Sequence, residues 1–329
     1  MNATDIFKGE LLKHAKEHEQ EEFVSRWNAL SQKCSDNDLK IETLFSWYLN
    51  YLNPVTSKEK MEKRLVTWFK NLNKTPLEYL DGVEDFYNAY CEVLEMQDRH
   101  AHLLSYLASD FWHVILCTSI LHNYSQNEKE ALKELLVKFY YQNWVAEQKE
   151  PKKQTNCNII NALKEKKNID DIISIVKKYL DEKNITQHFQ ENLRDSLVYK
   201  KQPTRNPWIK PILILVEYFM SDDPKPKRIQ MDKNLHVEHI LPQKPTLSSQ
   251  WAKDFSEEER ERYTHSLANL TLLGGKKNTK ASNLDFKDKK KIYMGEEIKL
   301  NKKKTFRVMT CYNTTKDIVQ RYTEWTPKA

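Results

Sequence analysis

From Asp5 to about Met220 the apolar positions recur every three or four residues. Ile6, Phe7, Leu11, Leu12 and Ala15 form one stripe, and Phe23, Val24, Trp27 and Leu30 a second. Leu44, Phe45, Tyr48, Leu49 and Leu52 follow, then Met61, Leu65, Trp68, Phe69 and Leu72. This is the α-helical period, so each stripe predicts a helix with one buried face. Asn53-Pro54 and Thr75-Pro76 punctuate the run, because proline removes a backbone donor and disfavours helix at the residue before it. Further helices are predicted at about Leu77–Met96, Leu103–Leu121, Lys129–Glu147, Asn158–Glu165, Ile169–Leu180 and Pro211–Met220. No fixed-period repeat argues for a solenoid. The aromatic residues of the stripes read as bundle core, not as base-stacking platforms.

The pattern changes after SDDPKPKRIQMDKN, Ser221 to Asn234, where charge clusters and two prolines read as a linker. A boundary near Pro224 gives a helical domain, 1–224, as a partner- or DNA-binding scaffold, and a second domain, 225–329. In the second, Leu235 to Leu241 reads as a strand. Ser256 and Glu259 form a capping box that opens the polar helix SEEERERY. Leu267 to Leu273 is apolar and β-compatible, Gly274-Gly275 breaks it, and KKNTKASNLDFKDKKKIY begins another helical segment. The expected fold class is mainly α: a large helical domain, then a small domain ordered strand, excursion, strand, helix.

Glycine sharpens the picture. The 329 residues hold five, Gly9, Gly82, Gly274, Gly275 and Gly295. Neither a Walker A loop nor a dinucleotide fingerprint can be built from them, so no nucleotide site is expected in this chain. If the system uses a nucleotide, a separate subunit binds it. The charge is also uneven. From Lys225 to Ala329 there are 23 Lys and Arg against 13 Asp and Glu, whereas the first 224 residues carry 30 against 34. A basic C-terminal part suits a polyanionic partner. The five cysteines are scattered without a CxxC pair, which suits reduced thiols better than a zinc knuckle. No apolar run reaches the roughly 18–20 residues of a membrane span, and the charged N-terminus lacks a signal-peptide core. The expectation is a soluble, cytoplasmic protein without a membrane partner.

The chemistry gathers at NLHVEHILPQ, Asn234 to Gln243. Cutting a phosphodiester needs a base for the attacking water, and charge neutralisation at the phosphate and the leaving oxygen. A neutral imidazole supplies the first, and one hard divalent cation with oxygen ligands the second. His239 is the candidate base and Glu238 a metal carboxylate. Asn278, just beyond the second strand, can offer an amide oxygen to the same metal. Asn269 can pin the inter-strand loop through side-chain to backbone hydrogen bonds. Pro242 ends strand pairing. Simple alternation sends Glu238 and His239 to opposite faces, so both line one site only if the strand ends there. Lys276 to Lys304 holds 11 lysines against four acids. Lys276, Lys277, Lys280 and Lys289 are the expected phosphate contacts. His236 is placed beside the site, and His265 is given no role.

VEHILPQ followed by HSLANLTLLGGKKNTKASNLDFKDKKKIY resembles the C-terminal nuclease domain of GmrSD-type modification-dependent restriction enzymes. These are a branch of the HNH (His-Me finger, ββα-metal) nucleases. Glu238-His239, Asn269 and Asn278 fall in order on the three motifs of that superfamily. The nine-residue step from Asn269 to Asn278 resembles the HNH domain of RNA-guided DNA nucleases. SN-x-x-F-x-x-K-x-x-x-Y (Ser282, Asn283, Phe286, Lys289, Tyr293) is particular to the GmrSD-like branch.

The resemblance implies a ββα-metal DNA endonuclease that leaves 5′-phosphate and 3′-hydroxyl ends. His239 and Asn269 would then belong to the catalytic motifs, and Glu238 and Asn278 would hold the ion. The third ligand is Asn where the name-giving motif has His, which favours Mg²⁺ or Mn²⁺ over softer metals. NATDIFKGELL is similar to a segment that follows the nucleotide-binding half in such proteins, so the resemblance implies either the cleaving subunit of a split system or a truncated reading frame. The partner in this reading is DNA, either modified or unmodified. Two alternatives remain: a partner-gated or catalytically silent DNA-binding subunit, and an RNA-cleaving toxin on the same scaffold.

Overall fold

A computed structural model describes residues 2–200, 206–295, 298–301, 304–306 and 312–329, with 298–301 and 304–306 described by their backbone. The protein is mainly helical. The first helices are α1 (Ala3–His14), α2 (Gln20–Asp36), α3 (Ile41–Leu52), α4 (Met61–Leu72) and α5 (Pro76–Leu94). Then come α6 (Arg99–Leu104), α7 (Phe111–Leu121), α8 (Gln126–Glu147), α9 (Lys153–Lys164), α10 (Ile169–Glu182), α11 (Ile185–Leu193) and α12 (Ile209–Phe219). Thr75 opens α5 with a capping box to Glu78, and Pro76 takes the first helical position, where its missing donor costs nothing. The single helix expected over Leu103–Leu121 is two, α6 and α7. Asp98 caps α6 through the amides of His100 and Ala101.

Two compact units emerge, each discontinuous in sequence. The first comprises residues 1–96, 107–136 and 151–179, and the second 97–106, 137–150 and 180–329. Neither divides at residue 224.

In the first unit the stripes meet as an aromatic core. The Phe7 ring packs edge-on to Phe45, Phe69 and Tyr79, at centroid distances of 5.9, 6.3 and 5.3 Å, and Trp27 stacks on Phe45 at 4.7 Å. Gly82 sits inside α5 because a Cβ there would overlap the phenol of the buried Tyr48. Gly82→Ala gains about 1 kcal/mol of helix propensity and loses more to overpacking, about 1–3 kcal/mol. The expected net result is a lowered urea midpoint with an unchanged m-value. A raised midpoint would contradict the contact.

His113, in α7, is half-buried and stacked at 4.7 Å on Trp47 and 3.5 Å on Trp112. Burial pushes it from 6.5 down to about 4. Above pH 6.5 the imidazole is neutral whether folded or unfolded. As pH falls from 6.5 to 4 the unfolded chain takes up a proton that the folded chain does not. Stability is therefore lost through that window, by roughly 2–3 kcal/mol. Chemical denaturation at several pH values should show this acid limb flattened in His113→Gln. An equally steep limb in the variant would assign it to other groups.

In the second unit β1 (Leu235–His239) pairs antiparallel with β2 (Leu270–Gly274), in the register Leu235↔Gly274, Val237↔Leu272 and His239↔Leu270. β1 stops two residues short of the expected Leu241, ahead of Pro242. The excursion carries α13 (Gln250–Asp254) and α14 (Glu257–Tyr263), the latter opened by the expected Ser256–Glu259 capping box. A 3-10 turn at Leu267–Asn269 takes the first residues assigned to the second strand. α15 (Gly275–Ala281) starts as β2 ends, completing a ββα unit.

The helix after Gly275 is also broken. Ser282, at φ 34°, turns the chain into α16 (Phe286–Met294), which Gly295 ends in the left-handed conformation at φ 75°. β3 (Ile298–Asn301) pairs with β4 (Lys304–Phe306), and α17 (Asn313–Arg321) closes the chain. Glu217 of α12 accepts from the first two amides of α17, and Thr315 of α17 donates to the Leu272 carbonyl at 2.7 Å. Ile240, Leu241, Trp251, Phe255 and Phe286 form a buried cluster beneath the excursion. No helix among the described residues is long and apolar enough to cross a membrane. Cys34, Cys117 and Cys157 are buried free thiols and Cys91 a half-buried one, and Cys311 lies outside the described residues.

Candidate active site

A cleft of about 710 Å³ opens over the ββα unit. Glu238, His239 and Asn278 all line it, with Tyr199, Lys210 and Gln243. Glu238 and His239 pair with Thr271 and Leu270 in the last two steps of the ladder, and both line the cleft although simple alternation would send them to opposite faces.

His239 is 6% exposed. Tyr199 meets its ring edge-to-face at 4.3 Å, and the His265 ring stands perpendicular at 5.6 Å. Gln243 is 3.4 Å from Nδ1, while Nε2 is buried without a hydrogen-bond partner. Burial first, then His265 and Lys289, push its pKa down to about 3. The imidazole is therefore neutral at pH 7 and has a lone pair to offer.

Glu238 is 5% exposed. Its Oε1 accepts from Lys289 Nζ at 2.6 Å and from the Tyr293 hydroxyl at 3.0 Å. Burial raises the carboxyl, and the Lys289 ammonium opposes the rise. Asn278, on α15, has a buried Oδ1 with no hydrogen-bond donor. An acidic oxygen and an orphaned amide oxygen in one cleft are the donor types that a hard divalent cation takes, so these residues fit a Mg²⁺ or Mn²⁺ ion. Asp232 and His236 also line the cleft.

Asn269 is 3% exposed and clamps the chain beyond His239. Its Oδ1 accepts from the Leu241 amide at 2.7 Å and from Trp325 Nε1 at 3.2 Å. Its Nδ2 donates to the carbonyls of Leu241 and Thr264, both at 2.9 Å. This side chain continues the strand pairing where the ladder has stopped.

Two of the four expected phosphate lysines are corrected. Lys289 is fully buried, its ammonium held by Glu238 Oε1 and by the His239 carbonyl, each at 2.6 Å. Lys277 is 2% exposed and donates to the Tyr293 carbonyl at 3.0 Å. A lysine run marks a charged face only when helix phase turns it outward, and α15 and α16 turn these two inward. Lys276 is exposed and Lys280 half-buried. Lys302 and Lys303 of the same run lie outside the described residues, as do the side chains of Lys299 and Lys304.

His236 lines the cleft but is tied to the Lys233 carbonyl at 2.9 Å, and its ring stands against Gly275, where a Cβ would lie 3.1 Å from Nε2. Tyr199, Lys210 and His265 carried no signal of their own. Tyr199 lies 40 residues before His239, and nothing around it marks a site.

A family model described as GmrSD restriction endonucleases, C-terminal domain, matches residues 158–329. Neither a search of curated proteins nor one of solved structures finds a match.

Proposed function

The chain belongs to the family of GmrSD restriction endonuclease C-terminal domains, and from that premise we propose that it is a divalent-metal-dependent DNA endonuclease of an HNH type, cutting DNA in a restriction or phage-defence system. The family implies nuclease activity and a DNA substrate. The observation that carries the finer reading is the pairing, in one cleft, of a neutral imidazole with an unpartnered nitrogen and an unpartnered amide oxygen.

In this reading His239 takes the proton of the attacking water at Nε2. That requires the resting proton on Nδ1, so Gln243 must turn its amide oxygen toward the ring. Tyr199 and His265 hold the imidazole plane. Glu238 and Asn278 would hold a Mg²⁺ or Mn²⁺ ion, which when bound neutralises phosphate charge and stabilises the departing 3′ oxygen. Asn269 fixes the backbone behind His239. Lys276 and Lys280 attract the phosphate backbone without reading sequence.

The helical region before residue 225 is assigned a role in partner contact or DNA choice, and a separate subunit any nucleotide binding. The second reading, a partner-gated subunit, is favoured by one feature: the carboxylate of Glu238 already shares its charge with Lys289.

A supercoiled-plasmid assay with Mg²⁺ or Mn²⁺, on unmodified and cytosine-modified DNA, tests the proposal. The wild-type chain is expected to cut, and Glu238→Ala to lose both cutting and Mn²⁺ binding. Mn²⁺ binding equal in wild type and Glu238→Ala would remove the metal assignment. Binding without cutting on any DNA would favour the gated subunit, and preferential RNA cleavage the toxin.

A further inference from the structure

We propose that Lys289 and Tyr293 are positioning residues of this site, and that they bring Glu238 and His239 to bear on the same cleft. The inference rests on the endonuclease reading above.

Consecutive residues of a strand point to opposite faces. Glu238 and His239 nonetheless both line one cleft, so each must be held there by its own contacts. Lys289 is placed to do this. Its ammonium donates to the side chain of Glu238 and to the backbone carbonyl of His239, at 2.6 Å in each case. One rigid point thus fixes the carboxylate of the first residue and the peptide of the second, at the last pair of the β1–β2 ladder.

Tyr293, four residues further along α16, reaches the same carboxylate oxygen at 3.0 Å. The spacing puts both side chains on one helix face. Lys289 and Tyr293 are 0% exposed, so neither contacts DNA. Both bonds fall on Oε1 and fix the plane of the carboxylate that would hold the cation. The lysines around them invite a phosphate-binding role, but burial excludes it for this one. Outer groups that orient a ligand typically change metal affinity or activity by about 10–100-fold when removed.

The test uses the full chain. Mn²⁺ binding is measured by electron paramagnetic resonance in a His239→Ala background with duplex DNA present, so that the DNA stays intact. Single-turnover cleavage is measured with His239 restored. Lys289→Met is expected to shift Mn²⁺ affinity about tenfold and slow cleavage about 100-fold. DNA affinity and its salt slope should stay unchanged. Tyr293→Phe, which removes one hydroxyl, should produce the same pattern at a few-fold, and it stands as the decisive variant if Lys289→Met does not fold.

Wild-type Mn²⁺ binding and cleavage with both unchanged in a folded Lys289→Met, or in Tyr293→Phe alone where Lys289→Met does not fold, overturns this inference and leaves the endonuclease reading standing. A parallel loss of DNA affinity with a shallower salt slope overturns it in favour of a phosphate contact. A chain that binds no Mn²⁺ even with Lys289 and Tyr293 in place overturns the endonuclease reading and this inference with it.

Discussion

His239→Ala is expected to reduce DNA cleavage by about 10²–10⁴-fold while leaving DNA affinity within a few-fold. A general base acts on the transition state, so its loss falls on kcat and spares ground-state binding. The imidazole is available for the role because it is neutral at pH 7 and Nε2 has no competing hydrogen bond. Single-turnover cleavage and fluorescence anisotropy, measured on the same protein, separate the two effects. Equal losses of rate and affinity would move His239 from the reaction to the DNA interface. His265→Ala offers the contrast. It removes a neighbouring ring at 5.6 Å and should slow cleavage far less.

The second large effect is on stability. Asn269→Ala strands the Leu241 amide and two carbonyls, all of which its side chain now satisfies. Leu241 is 0% exposed, so water cannot replace the lost partners without opening the cluster formed with Ile240, Trp251, Phe255 and Phe286. Each stranded buried group costs about 1–3 kcal/mol, and groups that share one side chain need not add. A loss of roughly 3–5 kcal/mol is expected for the second unit. Cleavage should fall as well, because Leu241 lies two residues beyond His239. Hydrogen exchange would localise the damage to residues 239–241 and to the 3-10 turn. Protection unchanged there, with normal stability, would show that the clamp is dispensable. Asn269→Asp keeps an oxygen for Leu241 and Trp325 but sets a second acceptor against both carbonyls, and should also destabilise.

The helical bundle was legible because it rests on a repeating signal. Phe7, Leu11, Phe23, Trp27, Leu44, Phe45, Leu65 and Phe69 stand at helical spacing, and all are buried. Proline and capping residues marked the openings of α5 and α14 for local reasons that need no tertiary context. The order strand, excursion, strand, helix was legible in the same way, since Pro242 and Gly274-Gly275 end their strands by backbone chemistry. Helix breaks were harder. α6 and α7 read as one segment because apolar residues cross the gap. α15 and α16 read as one because SNLD carries neither glycine nor proline, and the turn falls on a serine at positive φ.

The sequence by itself determined which residues could do chemistry: an imidazole beside a carboxylate, an amide nine residues after another, and a surplus of lysine around them. Only the tertiary structure decided what each one touches. Motif spacing brings Glu238, His239 and Asn278 to one cleft, but it cannot say that Glu238 is shared with an ammonium and a phenol. It cannot supply Tyr199, which reaches the imidazole from 40 residues away. The lysines show the limit most clearly. Composition counts Lys276, Lys277, Lys280 and Lys289 alike, whereas helix phase and packing leave Lys276 exposed and bury Lys277 and Lys289. Charge is a property of the residue. Its exposure, and so its partner, is set by which face of the helix meets the rest of the fold.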